Sequence, residues 1–439
     1  MNLRGLYCLV MGTKRSGLAA VQLLLKQGAH VRAMDAQPLT PEERARFDGM
    51  GVLVVPQEAE NLKDGGKEPD MIVLSPAVPY DLPLLTSARE RGIPVIGEVE
   101  LASHFLKGPV IGITGSNGKT TTTALTGHIL KHCGIPCQVG GNIGTAVASM
   151  IDSSREDQWN VLELSSFQLE SICEFRAEIA VCLNITPDHL DRHHAFENYV
   201  NAKARLFETQ RAGDSAVLND EDPVCRDLAG RTKADVYWFS PSLGSLTFPA
   251  DKPGNRWTVP TLKLRGLHNV ENAMAAALVA RLAGAEVEGI GAAVQSFAGV
   301  EHRLEFVREL NGVEYFNDSK ATNVDAALKA IDAFPGGLWI ILGGKDKGSG
   351  YAPLRTPLAE KSKAVLLIGA AAPLIREALS GAVSILECGT LARAVEYARE
   401  HARAGDVVLL APACASFDQF RDYEERGNVF KRLVNGAAA

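Results

Sequence analysis

The stretch GITGSNGKTTTTAL, residues 112–125, constrains the fold of this chain more than any other segment. It follows the apolar run PVIGI and leads into TTTALTGHILKHCG, which has a helix-like pattern. A glycine-rich turn between a strand and a helix points several backbone N–H groups at one spot, which suits a polyphosphate. Lys119 adds a positive charge there and Thr120 adds a hydroxyl for Mg²⁺. The sequence therefore predicts an α/β domain that binds ATP.

The spacing of this loop differs from the common phosphate-loop pattern. That pattern has a glycine six residues before the lysine. Here Ile113 stands at that position, and the glycines are at 112, 115 and 118. The alternative is a tight strand–helix turn in which the lysine is incidental. The residues predicted to bind ATP from this loop are Gly115, Ser116, Asn117, Gly118, Lys119, Thr120 and Thr121.

Bulk properties exclude several classes of protein. A chain of 439 residues is long enough for roughly three domains of ~150 residues. The net charge of −7, from 45 basic and 52 acidic residues, argues against a nucleic-acid partner. Eight cysteines without a CxxC pair indicate a reduced, cytoplasmic protein. We expect no membrane span, since no apolar run reaches ~18 residues, and no signal peptide at the N-terminus.

Strand-like and helix-like segments alternate along the whole chain, which predicts mainly parallel, doubly wound α/β sheets. We divide the chain into three domains. Residues 1–97 form a Rossmann-like domain, residues 98–301 a central domain with the phosphate loop, and residues 302–439 a second Rossmann-like domain.

The first turn, GTKRSG, is similar to a dinucleotide fingerprint. Gly12 and Gly17 hold its outer positions, and Asp35 closes the next strand. Lys14 replaces the middle glycine, which lets a backbone approach a pyrophosphate, so an NAD site is disfavoured. A nucleotide phosphate at the helix N-terminus near Ser16 and a generic strand–helix turn both remain open.

Two segments after strands in the central domain carry candidate metal ligands. Glu163 begins the segment ELSSFQLE at the end of a predicted strand, where its carboxylate suits Mg²⁺. The alternative is that this segment caps a helix, with Ser165 or Ser166 as the N-cap. His189 lies in NITPDHLDRH at a strand end, where open α/β sheets bind ligands. Lys203, as an ammonium, could contact a phosphate but could not bind Mg²⁺, and from the residue alone we expect it on the surface.

Polar residues continue into the last third of the chain. In HNVEN, Asn269 and Asn272 lie three residues apart and share a helix face. Their amide groups suit hydrogen bonds to the edge of a nucleotide base, or Asn269 caps the helix. Arg303 suits a phosphate. A cluster of Lys, Thr and Ser in NDSKATN, GGKDKGSG and APACASFDQF suits a small carboxylate ligand, with solvated loops as the alternative.

Taken together and in order, from GTKRSG to SFDQF, these motifs resemble the Mur ligase family over nearly the whole chain. Within that family, ELSSFQLE, NDSKATN and APACASFDQF are similar to the members that add D-glutamate. The resemblance implies an ATP-dependent ligase that joins UDP-N-acetylmuramoyl-L-alanine to D-glutamate through an acyl phosphate in cytoplasmic peptidoglycan synthesis. It also implies a monomer in which the third domain closes over the second.

The resemblance implies a role for each matching residue. Catalysis is assigned to Lys119, His189 and Lys203. Two Mg²⁺ sites are assigned to Thr120, Glu163, His189 and Lys203, with Lys203 carbamylated by CO₂. Beyond the loop, ATP is assigned to Asn272, Arg303 and Asp318. The two other substrates are assigned to Ser16, Asp35, Ser75, Asn142, Ser165, Thr322, Lys347, Ser416, Phe417 and Tyr423.

Three other functions compete with this hypothesis. One is a different amide ligase, of the Mur type or the folylpolyglutamate synthase type. Another is a nucleotide-binding protein of the phosphate-loop class without catalysis. The last is an NAD-dependent oxidoreductase that uses GTKRSG and Asp35.

Overall fold

The computed structural model describes residues 1–248, 256–264, 266–346, 348 and 350–436. The chain divides into two compact units, Met1–Pro260 with Val270–Gln295 and Thr261–Asn269 with Ser296–Ala439. The first unit contains two main sheets and the second contains one. The predicted α/β fold class is confirmed, whereas the domain boundaries near residues 97 and 301 stay predictions.

The first sheet is parallel and has the order β3-β2-β1-β4-β5. Its middle strand is buried at every position, as expected for a parallel sheet covered on both faces. The strands are β1 Tyr7–Met11, β2 His30–Asp35, β3 Val54–Pro56, β4 Met71–Leu74 and β5 Val95–Gly97. The helices are α1 Arg15–Lys26, α2 Pro41–Gly49, α3 Pro83–Glu90 and α4 Glu98–Ser103.

The second sheet, also parallel, has the order β11-β10-β9-β6-β8-β7, so β6 lies between strands that come later in the chain. Its strands are β6 Val110–Thr114, β7 Cys137–Gly141, β8 Trp159–Glu163, β9 Ile179–Cys182, β10 Ser215–Asn219 and β11 Asp235–Phe239. The helices of this part are α5 Lys119–His132, α6 Ser166–Leu169, α7 Leu190–His193, α8 Phe196–Glu208, α9 Pro223–Leu228, α10 His268–Leu282 and α11 Val287–Ser296. A small antiparallel pair, β12 Ser245–Leu246 and β13 Trp257–Thr258, follows β11 in the chain.

The third sheet has the order β14-β15-β19-β16-β17-β18, and only its edge strand β14 is antiparallel to its neighbour. Its strands are β14 Glu305–Leu310, β15 Val313–Asn317, β16 Leu338–Gly343, β17 Ser362–Ile368, β18 Ile385–Gly389 and β19 Val407–Leu410. Its helices are α12 Val324–Asp332, α13 Arg355–Lys361, α14 Ala372–Leu379, α15 Leu391–His401 and α16 Tyr423–Val434.

Short 3₁₀ helices connect several of these elements: Ala59–Leu62, Val147–Ser153, Ala229–Arg231, Pro241–Leu243 and Ala352–Leu354. Within the part of the chain that the structure describes, no helix is both long and apolar enough to cross a bilayer.

Candidate active site

The predicted phosphate loop lies between β6 and α5, at the carboxyl end of an interior strand of the second sheet. Its last residue, Gly118, has a left-handed φ of +83°. A Cβ atom there would lie 2.2 Å from Asn272 Oδ1, so the turn requires glycine. The same Asn272 oxygen accepts a 3.2 Å hydrogen bond from Thr122 Oγ1. The structure therefore places Asn272 against the loop that is predicted to bind ATP.

Asn184, which follows β9, holds the first half of the loop. Its backbone oxygen accepts from Ser116 N at 2.8 Å, and its Oδ1 accepts from Asn117 N at 2.9 Å. The first N–H groups of a helix have no acceptor within that helix, so the start of α5 is the part of the loop suited to an anion. Asn184 was not predicted from the sequence. Its signal was a polar residue at the end of an apolar, strand-like run, and the same signal singled out Glu163.

Two lysine ammonium groups meet at one carbonyl of the loop. Lys119 Nζ donates to Gly115 O at 2.7 Å and to Ser116 O at 2.9 Å. Lys203 Nζ donates to the same Gly115 oxygen at 2.8 Å and lies 3.4 Å from Thr114 Oγ1. Both predicted catalytic lysines are therefore at the phosphate loop, one at its helix end and one beside its strand end.

Lys203 is 1% exposed, so the expectation of a surface lysine is wrong. Burial, and then the positive charge of Lys119, lower the pKa of Lys203 to about 7. Its ammonium nitrogen lies 4.6 Å from the centre of the Tyr199 ring. The environment of this side chain therefore favours the neutral, nucleophilic amine over the ammonium form.

Glu163 ends β8 beside the strand of the phosphate loop, where it pairs with Ile113. Its Oε1 accepts from Asn142 Nδ2 at 2.8 Å, while its Oε2 is buried and has no hydrogen-bond partner. A buried carboxylate oxygen without a partner is costly, and a cation removes that cost. Asn142 O in turn accepts from Arg15 Nη2 at 3.2 Å, which connects the first sheet to this carboxylate.

The donor set at the loop fits Mg²⁺ better than a metal enclosed by protein ligands. Thr120 and Thr121 are buried in the first turn of α5, after the loop. Among the described residues, no three His, Cys, Asp or Glu side chains group as metal ligands. Mg²⁺ usually binds through one or two protein oxygens and completes its shell with water and substrate phosphates. The Glu163 carboxylate and a threonine hydroxyl would supply such a pair of protein oxygens.

Ser165 has a structural role that the sequence analysis left open. It caps α6: its Oγ accepts from Gln168 N at 3.3 Å, and its backbone N donates to Gln168 Oε1 at 2.9 Å. This reciprocal capping box fixes the turn that follows Glu163. A contact between Ser165 and substrate stays a prediction.

His189 precedes α7 in a left-handed conformation with φ of +53°, and its side chain is about half exposed. Its ring centre lies 4.8 Å from that of Phe167 and 6.5 Å from that of Tyr199. The Tyr199 hydroxyl lies 3.0 Å from Ser116 Oγ, within the phosphate loop. Tyr199 therefore lies close to His189, Lys203 and the loop together.

Arg192 fixes α7 to the first sheet, and the sequence analysis did not single it out. Its Nη2 donates to Val78 O and to Glu170 Oε2, each at 2.9 Å. The other Glu170 oxygen lies 3.1 Å from His193 Nδ1, and His193 Nε2 lies 3.0 Å from Ser166 Oγ. These contacts join residues far apart in the chain, so no sequence signal revealed them.

Asp35 ends β2 and binds the first turn. Its Oδ2 accepts from Thr13 N at 2.8 Å and from Thr13 Oγ1 at 2.5 Å, and its Oδ1 accepts from Gln37 N at 2.9 Å. Partial burial opposes ionisation, but these hydrogen bonds outweigh it and lower the pKa of Asp35. The carboxylate therefore stabilises the GTKRSG turn.

Ser16 and Ser75 share the carboxyl edge of the first sheet with Asp35. Ser16 is the second residue of α1, and Ser75 directly follows β4. A Cβ atom at Gly12 would lie 2.6 Å from the Ser75 Cβ, and one at Gly17 would lie 1.7 Å from Gly12 O. Both outer glycines of the turn are thus required by close packing. The three predicted substrate residues of this domain lie at one edge.

In the second unit, Asp318 follows β15 and is buried. Burial raises its pKa to about 6, even though the nearby charge of Arg303 opposes this shift. Asp318 Oδ1 accepts from Leu304 N at 3.2 Å. The Nε of Arg303 is buried and has no hydrogen-bond partner. These two predicted ATP residues therefore lie close together. Arg303 is on a turn in which His302 and Leu304 have left-handed φ angles of +64° and +43°, and Asp318 packs against that turn.

Ser416 and Thr322 follow β19 and β15, which are adjacent parallel strands. Ser416 is buried, whereas Phe417 is 66% exposed. Tyr423 begins α16, and its carbonyl oxygen accepts from Ser319 Oγ at 2.7 Å. Lys347 lies outside the described residues. The other four predicted amino-acid-binding residues belong to one edge of the third sheet.

Three family models match the chain in order. They are the Mur ligase MurD-like N-terminal domain at residues 7–97, the Mur ligase middle domain at 113–280, and the Mur ligase glutamate ligase domain at 302–414. The chain is 58% identical to the UDP-N-acetylmuramoylalanine–D-glutamate ligase of Solibacter usitatus, with 99% of each chain covered. It is 50% identical to the Acidobacterium capsulatum protein of that name, with 100% of this chain and 99% of the relative covered.

Solved structures show the same fold at low sequence identity. MurF of Acinetobacter baumannii has a TM-score of 0.59 and 18% identity, with 99% of this chain and 91% of that chain covered. The UDP-N-acetylmuramate–alanine ligase MurC of Thermotoga maritima has a TM-score of 0.58 and 20% identity, with 97% and 98% covered. The family models and the full-length relatives agree, and the chain belongs to the Mur ligase family.

Proposed function

We propose that this protein is an ATP-dependent ligase that joins UDP-N-acetylmuramoyl-L-alanine to D-glutamate, with release of ADP and phosphate. The observation that carries the proposal is the 58% identity to a UDP-N-acetylmuramoylalanine–D-glutamate ligase over 99% of both chains. The loop with Lys119, Lys203 and Glu163 around it supports the ATP-dependent part. We place the reaction in cytoplasmic peptidoglycan precursor synthesis and expect a monomer.

The chemistry requires activation of an acid. A carboxylate resists attack by an amine, because its charge repels the nucleophile and oxide is a poor leaving group. The carboxylate oxygen of UDP-N-acetylmuramoyl-L-alanine attacks the γ-phosphorus of ATP, and the bond to the bridging β–γ oxygen breaks to release ADP. The D-glutamate amine then attacks the acyl phosphate carbon. The tetrahedral intermediate expels phosphate, and the amine loses a proton to give the amide.

Positioning and charge supply most of the catalysis in this proposal. Lys119 swings from the loop carbonyls to the β- and γ-phosphates, and the first N–H groups of α5 bind the same oxygens. Glu163 and Thr120 would hold Mg²⁺, and the buried Glu163 oxygen without a hydrogen-bond partner supports this assignment. When bound, Mg²⁺ neutralises charge that develops on the phosphate oxygens. Asn272, against Gly118, is assigned to the adenine end of ATP.

A second Mg²⁺ site would use His189 and a carbamate on Lys203. The neutral Lys203 amine attacks the carbon of CO₂, forms an N–C bond and loses one proton, which leaves an anionic carbamate. The burial of Lys203 and the nearby positive charge of Lys119 support this modification, because both favour the uncharged amine. A carbamate oxygen can bind a cation that an ammonium group repels.

In the second unit, Arg303 and Asp318 are assigned to ATP, and Thr322, Lys347, Ser416, Phe417 and Tyr423 to D-glutamate. In the first sheet, Ser16, Asp35 and Ser75 are assigned to the UDP-substrate, with Asn142 and Ser165 nearer the reacting carboxylate. The adjacency of Asn142 to Glu163 supports that last assignment.

The deciding experiment measures phosphate release with ATP, Mg²⁺ and UDP-N-acetylmuramoyl-L-alanine while the amino acid is varied. We expect release with D-glutamate and at least ~100-fold less with L-glutamate, L-alanine or L-lysine, the scale expected when bound polar groups lose their partners. A Lys119→Ala variant should release no ADP under the same conditions. Equal activity with several amino acids would point instead to another amide ligase, and no release with any of them would refute a ligase.

A further inference from the structure

We propose that Arg426 is a positioning residue for the amino-acid substrate: a buried guanidinium that fixes the loops carrying Thr322 and Ser416. This inference rests on the proposed function and adds a residue to its D-glutamate site. Arg426 is the fourth residue of α16 and is 0% exposed. Arginine is rarely buried to this extent without a carboxylate partner.

The guanidinium uses all of its donors on two loops. Its Nε donates to Ser319 Oγ at 3.0 Å, and its Nη2 donates to Ser319 O at 2.8 Å and Cys414 O at 3.2 Å. Its Nη1 donates to Cys414 O at 3.2 Å and Ala415 O at 3.4 Å. These five hydrogen bonds equal the number of N–H groups on a guanidinium.

The acceptors lie directly before the predicted substrate residues. Ser319 is three residues before Thr322, and Ala415 immediately precedes Ser416. The same loops are joined by a 2.9 Å hydrogen bond from Ala413 N to Ala321 O, and Ala413 has a left-handed φ of +59°. The loop backbone is therefore held in a conformation that needs support.

A third loop packs on this arrangement. Lys345 and Ala415 exchange backbone hydrogen bonds of 2.8 and 3.1 Å. A Cβ atom at Gly344 would lie 2.2 Å from Ala415 O and 3.2 Å from Arg426 Nη1. Arg426 thus lies beneath the meeting point of the loops that follow β15, β16 and β19.

The charge of Arg426 is offset mainly by the oxygen dipoles of its hydrogen-bond acceptors, with a longer-range contribution from the Asp418 carboxylate. Among the described residues, no carboxylate forms an ion pair with it. Burying an unpaired charge is expensive, so a residue with only a packing role would be better served by an apolar side chain. The planar guanidinium group of Arg426 donates to three carbonyl oxygens on two loops at fixed angles, and a lysine ammonium group cannot do this.

The test compares Arg426→Lys with wild type in steady-state kinetics and thermal unfolding. We expect the KM for D-glutamate to rise about tenfold or more, while the KM for ATP and for UDP-N-acetylmuramoyl-L-alanine changes less than twofold. Arg399→Lys is the matched control, because Arg399 also donates to α16 carbonyls, those of Leu433 and Val434, away from these loops. It should leave all three KM values unchanged.

A lower unfolding temperature with an unchanged KM for D-glutamate would overturn the proposal and leave Arg426 as a packing residue. Should Arg426→Lys not fold, Ser319→Ala decides. That variant removes the acceptor of Arg426 Nε, and we expect a threefold or greater rise in the same KM; no rise would also overturn the proposal. Failure of the proposed function is distinct, because wild type would then release no phosphate with D-glutamate.

Discussion

Gly118 occupies a position that only glycine satisfies, because its φ is +83° and the space of its missing Cβ is filled by the Asn272 amide. We predict that Gly118→Ala weakens ATP binding roughly 100-fold, about 2.7 kcal/mol, because the loop must shift away from its anion-binding shape. The left-handed strain alone costs about 1–2 kcal/mol. Calorimetric titration of ATP with Mg²⁺ measures the effect.

Gly134, just beyond the other end of α5, is the matched control. Its φ is +73°, but a Cβ there meets no atom within 4 Å. Gly134→Ala should therefore lower stability by a similar strain of about 1 kcal/mol and leave ATP affinity unchanged. Equal ATP affinity in the two variants would contradict the role given to Gly118.

For Lys203 we predict that the alanine variant is nearly inactive and that a short carboxylic acid, such as acetate or propionate, partly restores turnover. The added carboxylate supplies the anionic oxygen that the carbamate would supply. Phosphate release with and without the acid measures this rescue, and chloride at equal ionic strength is the control. Full activity of Lys203→Ala without any acid would refute the carbamate.

Some of the residues that the sequence singles out lie at the phosphate loop, while others were placed wrongly or not foreseen, for a physical reason. Glu163 and Asn272 were singled out because polar residues at strand ends and helix starts are visible in the sequence, and their roles stay predictions. Lys203 was expected on the surface because its helix, FENYVNAKARLFE, shows an apolar stripe but not which polar residue faces the sheet. Arg426 and Arg192 act through contacts with distant loops, and one sequence does not reveal such contacts.

At the scale of elements, α4 packs against the 3₁₀ helix Val147–Ser153 through a buried carboxyl group. Glu98 Oε1 accepts from Ala148 N at 2.6 Å, and its Oε2 is buried without a hydrogen-bond partner. Burial raises the pKa of Glu98 from 4.5 to about 7, against the weaker opposing effects of that hydrogen bond and of Arg15. The folded state therefore binds this proton more tightly than the unfolded state does.

The sign of the pH effect follows from that shift. A carboxyl whose folded pKa is raised gives its full contribution to stability below about pH 4.5, and the contribution is lost as the pH rises through about 7. The loss is on the order of 3 kcal/mol at most. Glu98→Gln keeps an acceptor for Ala148 N and cannot ionise. We therefore predict that the variant gains several degrees in unfolding temperature over wild type as the pH increases from 5 to 8.5.

Thermal unfolding at a series of pH values checks this prediction, with Glu90→Gln as the control because Glu90 is exposed at the end of α3. The control should show the same difference from wild type at every pH. A constant difference for Glu98→Gln as well would mean that the buried carboxyl does not titrate in this range.

Among the strands, the buried parallel ones were predicted from their continuous apolar runs, such as LYCLVMG and DVVLLAPA. The edge strands β3, β7 and β11 of the first two sheets were missed. The edge strands β14 and β18 of the third sheet were missed too. Their sequences, EFVREL and ILECG, mix exposed and half-buried positions because an edge strand has one open side. Apolar periodicity is weakest at such edges, so it did not reveal them.

For the whole molecule, the sequence predicts three α/β domains. The structure has three main sheets, in line with that prediction, and these sheets group into two compact units. The first unit joins two sheets, and contacts such as Arg192 to Val78 O link them. The alternation of strands and helices predicts sheets, but it does not predict how much surface two neighbouring sheets share. The grouping of the sheets into compact units therefore depends on contacts between sheets, which the pattern of the sequence does not predict.

The residues assigned to ATP belong to both units, since Lys119 is in the first and Arg303 and Asp318 are in the second. Under the proposed assignments, one nucleotide bound by all of them would bring the two units together, and alignment of reactants lowers a barrier by about 7–11 kcal/mol. We predict that a non-hydrolysable ATP analogue with Mg²⁺ and UDP-N-acetylmuramoyl-L-alanine reduces the radius of gyration measured by small-angle X-ray scattering. Lys119→Ala should show no reduction at the same ligand concentrations. Identical scattering curves for wild type with and without ligands would contradict closure and would leave the second-unit residues without a role in ATP binding.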